Sequence, residues 1–144
     1  MNEPKPLAGT RIMVIDDSNT IRRSAEIFLL QAGCQVVLAE DGFDALSKIT
    51  DHQPDLIFVD IMMPRLDGYQ TCALIKKHSK YRTTPVIMLS SKDSVFDRAR
   101  GRMVEWAQQL RQRRVIRPHL HGQRALSRRR QHHIERQQRG DLLQ

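Results

Sequence analysis

The sequence lacks the features that mark secreted and membrane proteins. It has only two cysteines, Cys34 and Cys72, and we expect both to be buried free thiols rather than a disulfide or a metal site. No apolar run approaches the roughly 20 residues that span a bilayer. The first ten residues, MNEPKPLAGT, lack the apolar core of a secretory signal. These absences argue against membrane insertion and predict a cytoplasmic protein.

Lysine and aromatic residues are absent from the C-terminal part of the chain. The last lysine is Lys92 and the last aromatic residue is Trp106. Residues 1–100 hold 13 basic and 13 acidic side chains, whereas residues 101–144 hold 11 arginines and three acids, which accounts for the net charge of +8. This shift in composition predicts a folded domain over 8–104 and an Arg/Gln/His-rich tail over 105–144 that is disordered or irregular.

Four short apolar runs, at 12–15, 36–39, 56–59 and 86–89, dominate the first part of the chain. They are β-branched and continuous, which is typical of strands buried on both faces of a parallel sheet. Apolar residues at helical spacing lie between them and predict helices that begin near Ser18, Asp41 and Asp67, with a fourth over 94–104. The alternation of strand and helix predicts an α/β fold with a parallel sheet.

Aspartates follow two of the predicted strands. Asp16 and Asp17 come directly after the first strand, and Asp60 ends the third. Taken singly, Asp17 is explained as a helix cap and Asp60 as a charge at a strand end. In open α/β sheets, however, sites form where the strand order reverses, which in the flavodoxin-like order lies between strands one and three. Three carboxylates gathered there repel one another, and a bound cation resolves the repulsion. An all-oxygen pocket of this kind suits Mg²⁺.

These motifs together resemble the receiver domain of bacterial two-component response regulators. The resemblance runs from about residue 10 to about residue 104. Segments such as IDDSNTIRRSAE, FVDIMMPRLDGYQTCALIK and TPVIMLSSKD are similar in particular to small single-domain regulators of twitching-motility (type IV pilus) chemosensory systems. The residues that carry the resemblance are Asp16, Asp17, Asp60, Met63, Pro64, Asp67, Gly68 and Ser90.

The resemblance implies a fold and a function. The expected fold is a flavodoxin-like, doubly wound parallel sheet with strand order 2-1-3-4, in which the fifth strand and helix of a complete receiver are missing or replaced. The expected function is a non-enzymatic phosphoacceptor, phosphorylated by the histidine kinase of a chemosensory system. A downstream motility protein is expected to dock near the fourth helix.

The resemblance also implies the roles of particular residues. Asp60 would accept the phosphoryl group, and Asp16, Asp17 and Asp60 would hold Mg²⁺ together with the backbone carbonyl of Met62. Ser90 would hydrogen-bond a phosphoryl oxygen. The loop beside the acceptor would be shaped by Pro64, Asp67 and Gly68.

The C-terminal part departs from the family pattern. A complete receiver has a lysine followed by proline after its fifth strand and an aromatic residue on that strand, and neither can be placed here. Lys92 is a candidate substitute, although its ordinary interpretation is a loop charge, and Arg117-Pro118 is the only basic–proline pair in the region. One hypothesis is a frameshift, because a lysine-free, Arg/Gln/His-rich composition is typical of a GC-rich gene translated out of frame.

Two other functions are compatible with parts of the sequence. A Mg²⁺-dependent phosphohydrolase also uses a nucleophilic Asp on a parallel strand, but such enzymes typically carry a second acid two residues later, where this chain has Met62. A nucleic-acid-binding arm is suggested by Arg128, Arg129 and Arg130. The tail shows no helix-turn-helix pattern and no interleaved aromatics, so nucleic acid is not the expected partner.

Overall fold

The computed structural model describes residues 5–89 and 94–116, apart from the side chains of 94–101. Four strands alternate with four helices, and all strand pairs are parallel, in the order β2-β1-β3-β4. This is the predicted strand order. The elements are β1 Arg11–Ile15, α1 Asn19–Gln31, β2 Gln35–Ala39, α2 Gly42–His52, β3 Leu56–Asp60, α3 Gly68–Lys77, a 3₁₀ turn Ser79–Tyr81, β4 Val86–Leu89 and α4 Ser94–Gln112.

The central strands are β1 and β3. Every residue of β3 is buried, as its continuous apolar sequence predicts for a strand covered on both faces. In the register of the sheet, Ile12 of β1 lies between Val36 and Leu56, and Ile15 pairs with Val59. The carboxyl ends of β1 and β3 therefore lie side by side at one edge of the sheet.

Side-chain caps fix the starts of the first three helices at that same edge. Ser18, Asp41 and Asp67 are the N-caps, and each side chain accepts a hydrogen bond from a backbone N–H in the first turn. Asp67 also forms a reciprocal capping box with Gln70, in which the donor–acceptor distances are 2.8 and 3.0 Å. The predicted helix starts are confirmed.

The apolar side chains form two clusters, one on each face of the sheet. The first cluster joins the sheet to α1 and α4 and includes Phe58, Leu29 and Met103. The second joins it to α2 and α3 and includes Val59, Ile49 and Ile75. The helices thus cover both faces of the sheet, and α4 shares a face with α1.

The helix α4 is longer than the sequence predicts. It runs past residue 104 to Gln112, and Met103, Ala107 and Leu110 form one buried stripe at helical spacing. Val115 and Ile116 follow it into the same cluster. The structure corrects the expectation of an irregular tail for residues 105–112, which belong to α4, because this apolar spacing continues across the change in charge composition. Residues 117–144 lie outside the described residues.

Arg111, near the end of α4, binds the N-terminal segment to the side of the sheet that α1 and α4 cover. The Arg111 guanidinium donates to the backbone carbonyls of Pro6 and Ala8, at 3.1 and 2.9 Å. Leu7, between them, is fully buried, and its N–H donates to the carbonyl of Ala32 at 2.9 Å. Residues 5–10 are therefore part of the folded domain.

We expect Leu110→Ala to lower the free energy of unfolding by about 2–5 kcal/mol, because it removes a buried side chain and leaves a cavity. Leu110 is 2% exposed, whereas Leu30, on α1, is 48% exposed. The matched variant Leu30→Ala should change stability by no more than about 0.5 kcal/mol. Urea unfolding measures both. Equal effects would mean that residues after 104 contribute no core.

Both cysteines are buried free thiols, as predicted. Burial raises the pKa of Cys34 to about 11, although the charge of Arg111 acts in the opposite direction. Among the described residues, no helix combines the length and apolar character required to cross a membrane.

Candidate functional site

Three carboxylates meet at the carboxyl ends of β1 and β3. Asp16, Asp17 and Asp60 each offer an oxygen atom, and these atoms lie within 4.8 Å of one another. Asp16 and Asp60 are 5% and 2% exposed, whereas Asp17 is exposed to solvent. The cluster therefore has a buried floor and an open side, and the three carboxylates converge where the strand order reverses, as the sequence predicts.

The two buried carboxylates are oriented in the same way. Oδ1 of Asp16 accepts a hydrogen bond from the N–H of Ser18 at 2.9 Å, and Oδ1 of Asp60 accepts one from the N–H of Met62 at 3.2 Å. In each case the donor lies two residues further along the chain. The loop that follows each strand thus holds the carboxylate against its own backbone.

The electrostatics of the cluster call for a cation. The pKa of Asp16 is raised to about 7, chiefly by burial; the charges of Asp60 and Asp17 contribute to the rise, and the Ser18 N–H acts in the opposite direction. A carboxylate with such a pKa is destabilised in its charged form. A hard divalent cation with oxygen ligands removes this cost, so the three aspartates fit Mg²⁺.

The loop after β3 packs directly on the backbone of Asp60. Gly68 has no room for a side chain, because a Cβ there would lie 2.4 Å from the Asp60 carbonyl oxygen and 2.8 Å from Cα of Ile61. The N–H of Gly68 donates to the Ile61 carbonyl at 2.9 Å. Glycine is thus required at this position by close approach.

The same loop contains a strained turn. Arg65 has a φ of 67°, in the left-handed region, and the N–H of Leu66 donates to the carbonyl of Pro64 at 2.7 Å across it. The Arg65 side chain lies 3.8 Å from that of Asp41, at the start of α2. Pro64 therefore lies in the loop beside Asp60, where the sequence places it, and Asp67 and Gly68 lie where that loop meets the start of α3.

A residue that the sequence interpretation missed also belongs to this edge. The Arg22 guanidinium donates to the backbone carbonyl of Asp16 and to Oδ1 of Asn19. The available signal was its position in the first turn of the helix that follows the aspartate pair. Arginine at such a position is ordinarily a surface charge, so the signal was weak.

Among the described residues, the structure brings the predicted metal-binding aspartates together. Asp16, Asp17 and Asp60 converge, and Met62 contacts Asp60 through its N–H. Ser90 and Lys92 lie outside the described residues. The roles of Ser90, of Lys92 and of the Met62 carbonyl stay predictions.

Comparison with known proteins gives a family match and close relatives. The family model for the response regulator receiver domain matches residues 12–112. Protein PilG of Pseudomonas aeruginosa is 68% identical over 96 residues, which cover 67% of this chain and 71% of that protein. Response regulator MprA of a Mycobacterium species is 40% identical over 91 residues, and the match spans 63% of this chain and 39% of that protein.

Solved structures show the same architecture. The chemotaxis protein CheY4 of Vibrio cholerae superposes with a TM-score of 0.58 at 27% identity, over 74% of this chain and 98% of that one. The response regulator domain of Thermotoga maritima CheB gives a TM-score of 0.60 at 27% identity, over 69% of this chain and 94% of that one. The family match continues past residue 104 to 112, which agrees with the extent of α4.

Proposed function

Because this chain belongs to the response regulator receiver family, we propose that Asp60 accepts a phosphoryl group from the phosphohistidine of a histidine kinase. The observation that carries the proposal is the convergence of the Asp16, Asp17 and Asp60 oxygens within 4.8 Å. Asp60 ends the central strand β3, so its position is fixed by the sheet, while the exposed Asp17 marks the open side.

The chemistry is a transfer between two activated phosphoryl compounds. A carboxylate oxygen of Asp60 attacks phosphorus, the bond to the imidazole nitrogen breaks, and an acyl phosphate forms. Phosphoryl transfer of this type depends on positioning and on neutralisation of spread charge. Mg²⁺, when bound, supplies that neutralisation. Asp16, Asp17, Asp60 and the Met62 carbonyl would hold it, and Ser90 would donate to a phosphoryl oxygen.

The biological setting follows from the relatives. The similarity to PilG, together with the resemblance to pilus chemosensory regulators, supports a role in the chemosensory control of type IV pilus twitching motility. The upstream partner is a histidine kinase, and the chain acts in the cytoplasm as a signalling protein rather than as an enzyme. A downstream motility protein would dock near α4. The comparisons do not support the phosphohydrolase or the nucleic-acid-binding alternative.

The proposal is tested by incubating the full chain with Mg²⁺ and acetyl phosphate and measuring the intact mass. We expect the mass to increase by one phosphoryl group, as a label that is stable in acid and labile in base. Chelation of the Mg²⁺ before acetyl phosphate is added should prevent the label from forming. The lysine that follows the fifth strand of a complete receiver cannot be placed in this chain. Loss of a single preorganised donor at a developing oxyanion costs roughly 10²–10³ in rate, so a long incubation is used to allow for slower labelling. No label after long incubation would overturn the proposed function.

A further inference from the structure

One arginine connects the aspartate pair to the first helix. Arg22 is half-buried, one turn into α1, and its guanidinium donates to the backbone carbonyl of Asp16 and to Oδ1 of Asn19. That carbonyl belongs to the peptide unit that joins Asp16 to Asp17. The contact therefore lies on the backbone between two of the three clustered carboxylates.

We infer that Arg22 is a positioning residue for the cation site, because it fixes the Asp16–Asp17 peptide on which two ligands depend. The inference rests on the proposed function, since it assumes that the aspartate cluster binds Mg²⁺. Arg22 donates to the main-chain carbonyl of Asp16 and not to its carboxylate in this contact. It acts through the main chain.

The backbone geometry explains why this one contact matters. The N–H of Asp16 donates to the Ala39 carbonyl at 3.1 Å, which holds the residue on its strand side. Arg22 holds the other side, and because the peptide unit is planar, fixing its oxygen also fixes the direction in which Asp17 leaves the strand. Asp17 is exposed, so the backbone controls its placement more than surrounding side chains do.

The contact also opposes a force within the cluster. The three carboxylates repel one another, and β1 ends at this point, so the loop can relieve the repulsion by turning Asp17 outwards. A guanidinium bound to the loop carbonyl and to the helix resists that rotation. Mg²⁺ needs near-octahedral ligand geometry, so a loop held in place favours its binding.

Arg22 also lies close enough to the start of α2 to affect the pKa of a residue there. The pKa of Asp44, in the first turn of α2, is lowered overall. Burial raises this pKa, but hydrogen bonds from Lys48 and from the Glu40 N–H lower it. The charges of Lys48 and Arg22 also lower it. The guanidinium therefore lies where α1 and α2 both begin, at the edge of the sheet that carries the aspartates.

The test compares Mg²⁺ affinity, measured by isothermal titration calorimetry on the full chain, for wild type, Arg22→Gln, Arg22→Lys and Arg23→Gln. Arg23 is the matched control, because it is adjacent, exposed and carries the same charge. Loss of an outer contact of a metal site typically weakens metal binding about 10–100-fold. We expect that loss in Arg22→Gln, a smaller loss in Arg22→Lys, which keeps one donor, and wild-type affinity in Arg23→Gln.

The outcomes separate this inference from the proposed function. Wild-type protein that binds no Mg²⁺ would overturn the cation site, and with it this inference. Wild-type binding with equal affinities for Arg22→Gln and Arg23→Gln would overturn the inference alone. Urea unfolding without metal gives the second readout, because a purely structural arginine would lower stability without weakening affinity in the folded protein.

Discussion

Asp60→Asn is expected to abolish the phosphoryl label completely. The amide has nearly the shape of the carboxylate, and its oxygen can still accept the Met62 N–H that binds Oδ1 at 3.2 Å. It has no anionic oxygen with which to attack phosphorus, however, so no acyl phosphate can form. The variant also removes one of the three clustered carboxylates, which relieves their mutual repulsion and should not destabilise the fold. Loss of the label would therefore report on chemistry rather than on folding.

The matched control for this variant is Asp51→Asn. Asp51 is exposed and lies near the end of α2, away from the helix start that adjoins the site. Both variants lose one carboxylate, so a general effect of charge would appear in both. Intact mass after incubation with acetyl phosphate and Mg²⁺ should show the label in Asp51→Asn only. A label that persists in Asp60→Asn would assign the acceptor to another residue.

Asp16→Asn is expected to stabilise the metal-free protein by about 4 kcal/mol at pH 8. The pKa of Asp16 rises from 3.8 to about 7 in the folded state, and burial is the largest cause of the rise. Each pH unit across that window corresponds to about 1.4 kcal/mol. Between these two values the folded state keeps a proton that the unfolded state releases, so wild type loses stability as pH rises from about 4 to 7. The asparagine variant does not carry this loss.

Urea unfolding between pH 4 and pH 8, in the presence of a chelator, measures the effect. The difference between Asp16→Asn and wild type should be small at pH 4 and should grow up to pH 7. Saturating Mg²⁺ should then stabilise wild type at pH 8, by about 2.7 kcal/mol at a hundred times its dissociation constant, and should stabilise the variant less. If the difference in unfolding free energy between the variant and wild type does not change with pH, then folding does not destabilise the charged form of the Asp16 carboxylate.

Much of the fold and of the acidic cluster could be predicted from local sequence. Continuous β-branched runs such as 56–59 indicate strands covered on both faces, and the alternation with helices restricts the topology to a parallel sheet. Parallel strands align their carboxyl ends, so aspartates that follow strands one and three meet once the flavodoxin-like order, which the family resemblance implied, makes those strands neighbours. The helix starts could be predicted because capping side chains such as Asp41 and Asp67 bond to the first turn of the helix that directly follows them in the sequence.

The remainder depended on contacts between distant segments. Composition placed a boundary at 104 because arginine replaces lysine there, but the stripe of Met103, Ala107 and Leu110 determines where the helix packs. An apolar stripe does not specify which face of a sheet it will cover, and α4 covers the face it shares with α1. Arg22 was missed for a related reason, since its partner is a main-chain carbonyl that carries no signature in the sequence.

The contact between Arg111 and the N-terminal segment has a consequence for folding kinetics. The guanidinium and the Pro6 carbonyl are separated by 105 positions in the chain, so their meeting closes a long loop at an entropic cost, and we expect it to follow the assembly of the sheet and α4. Contacts that form after the transition state slow unfolding while leaving the folding rate almost unchanged. We therefore expect this bond to lengthen the lifetime of the folded chain and to do little to speed its assembly.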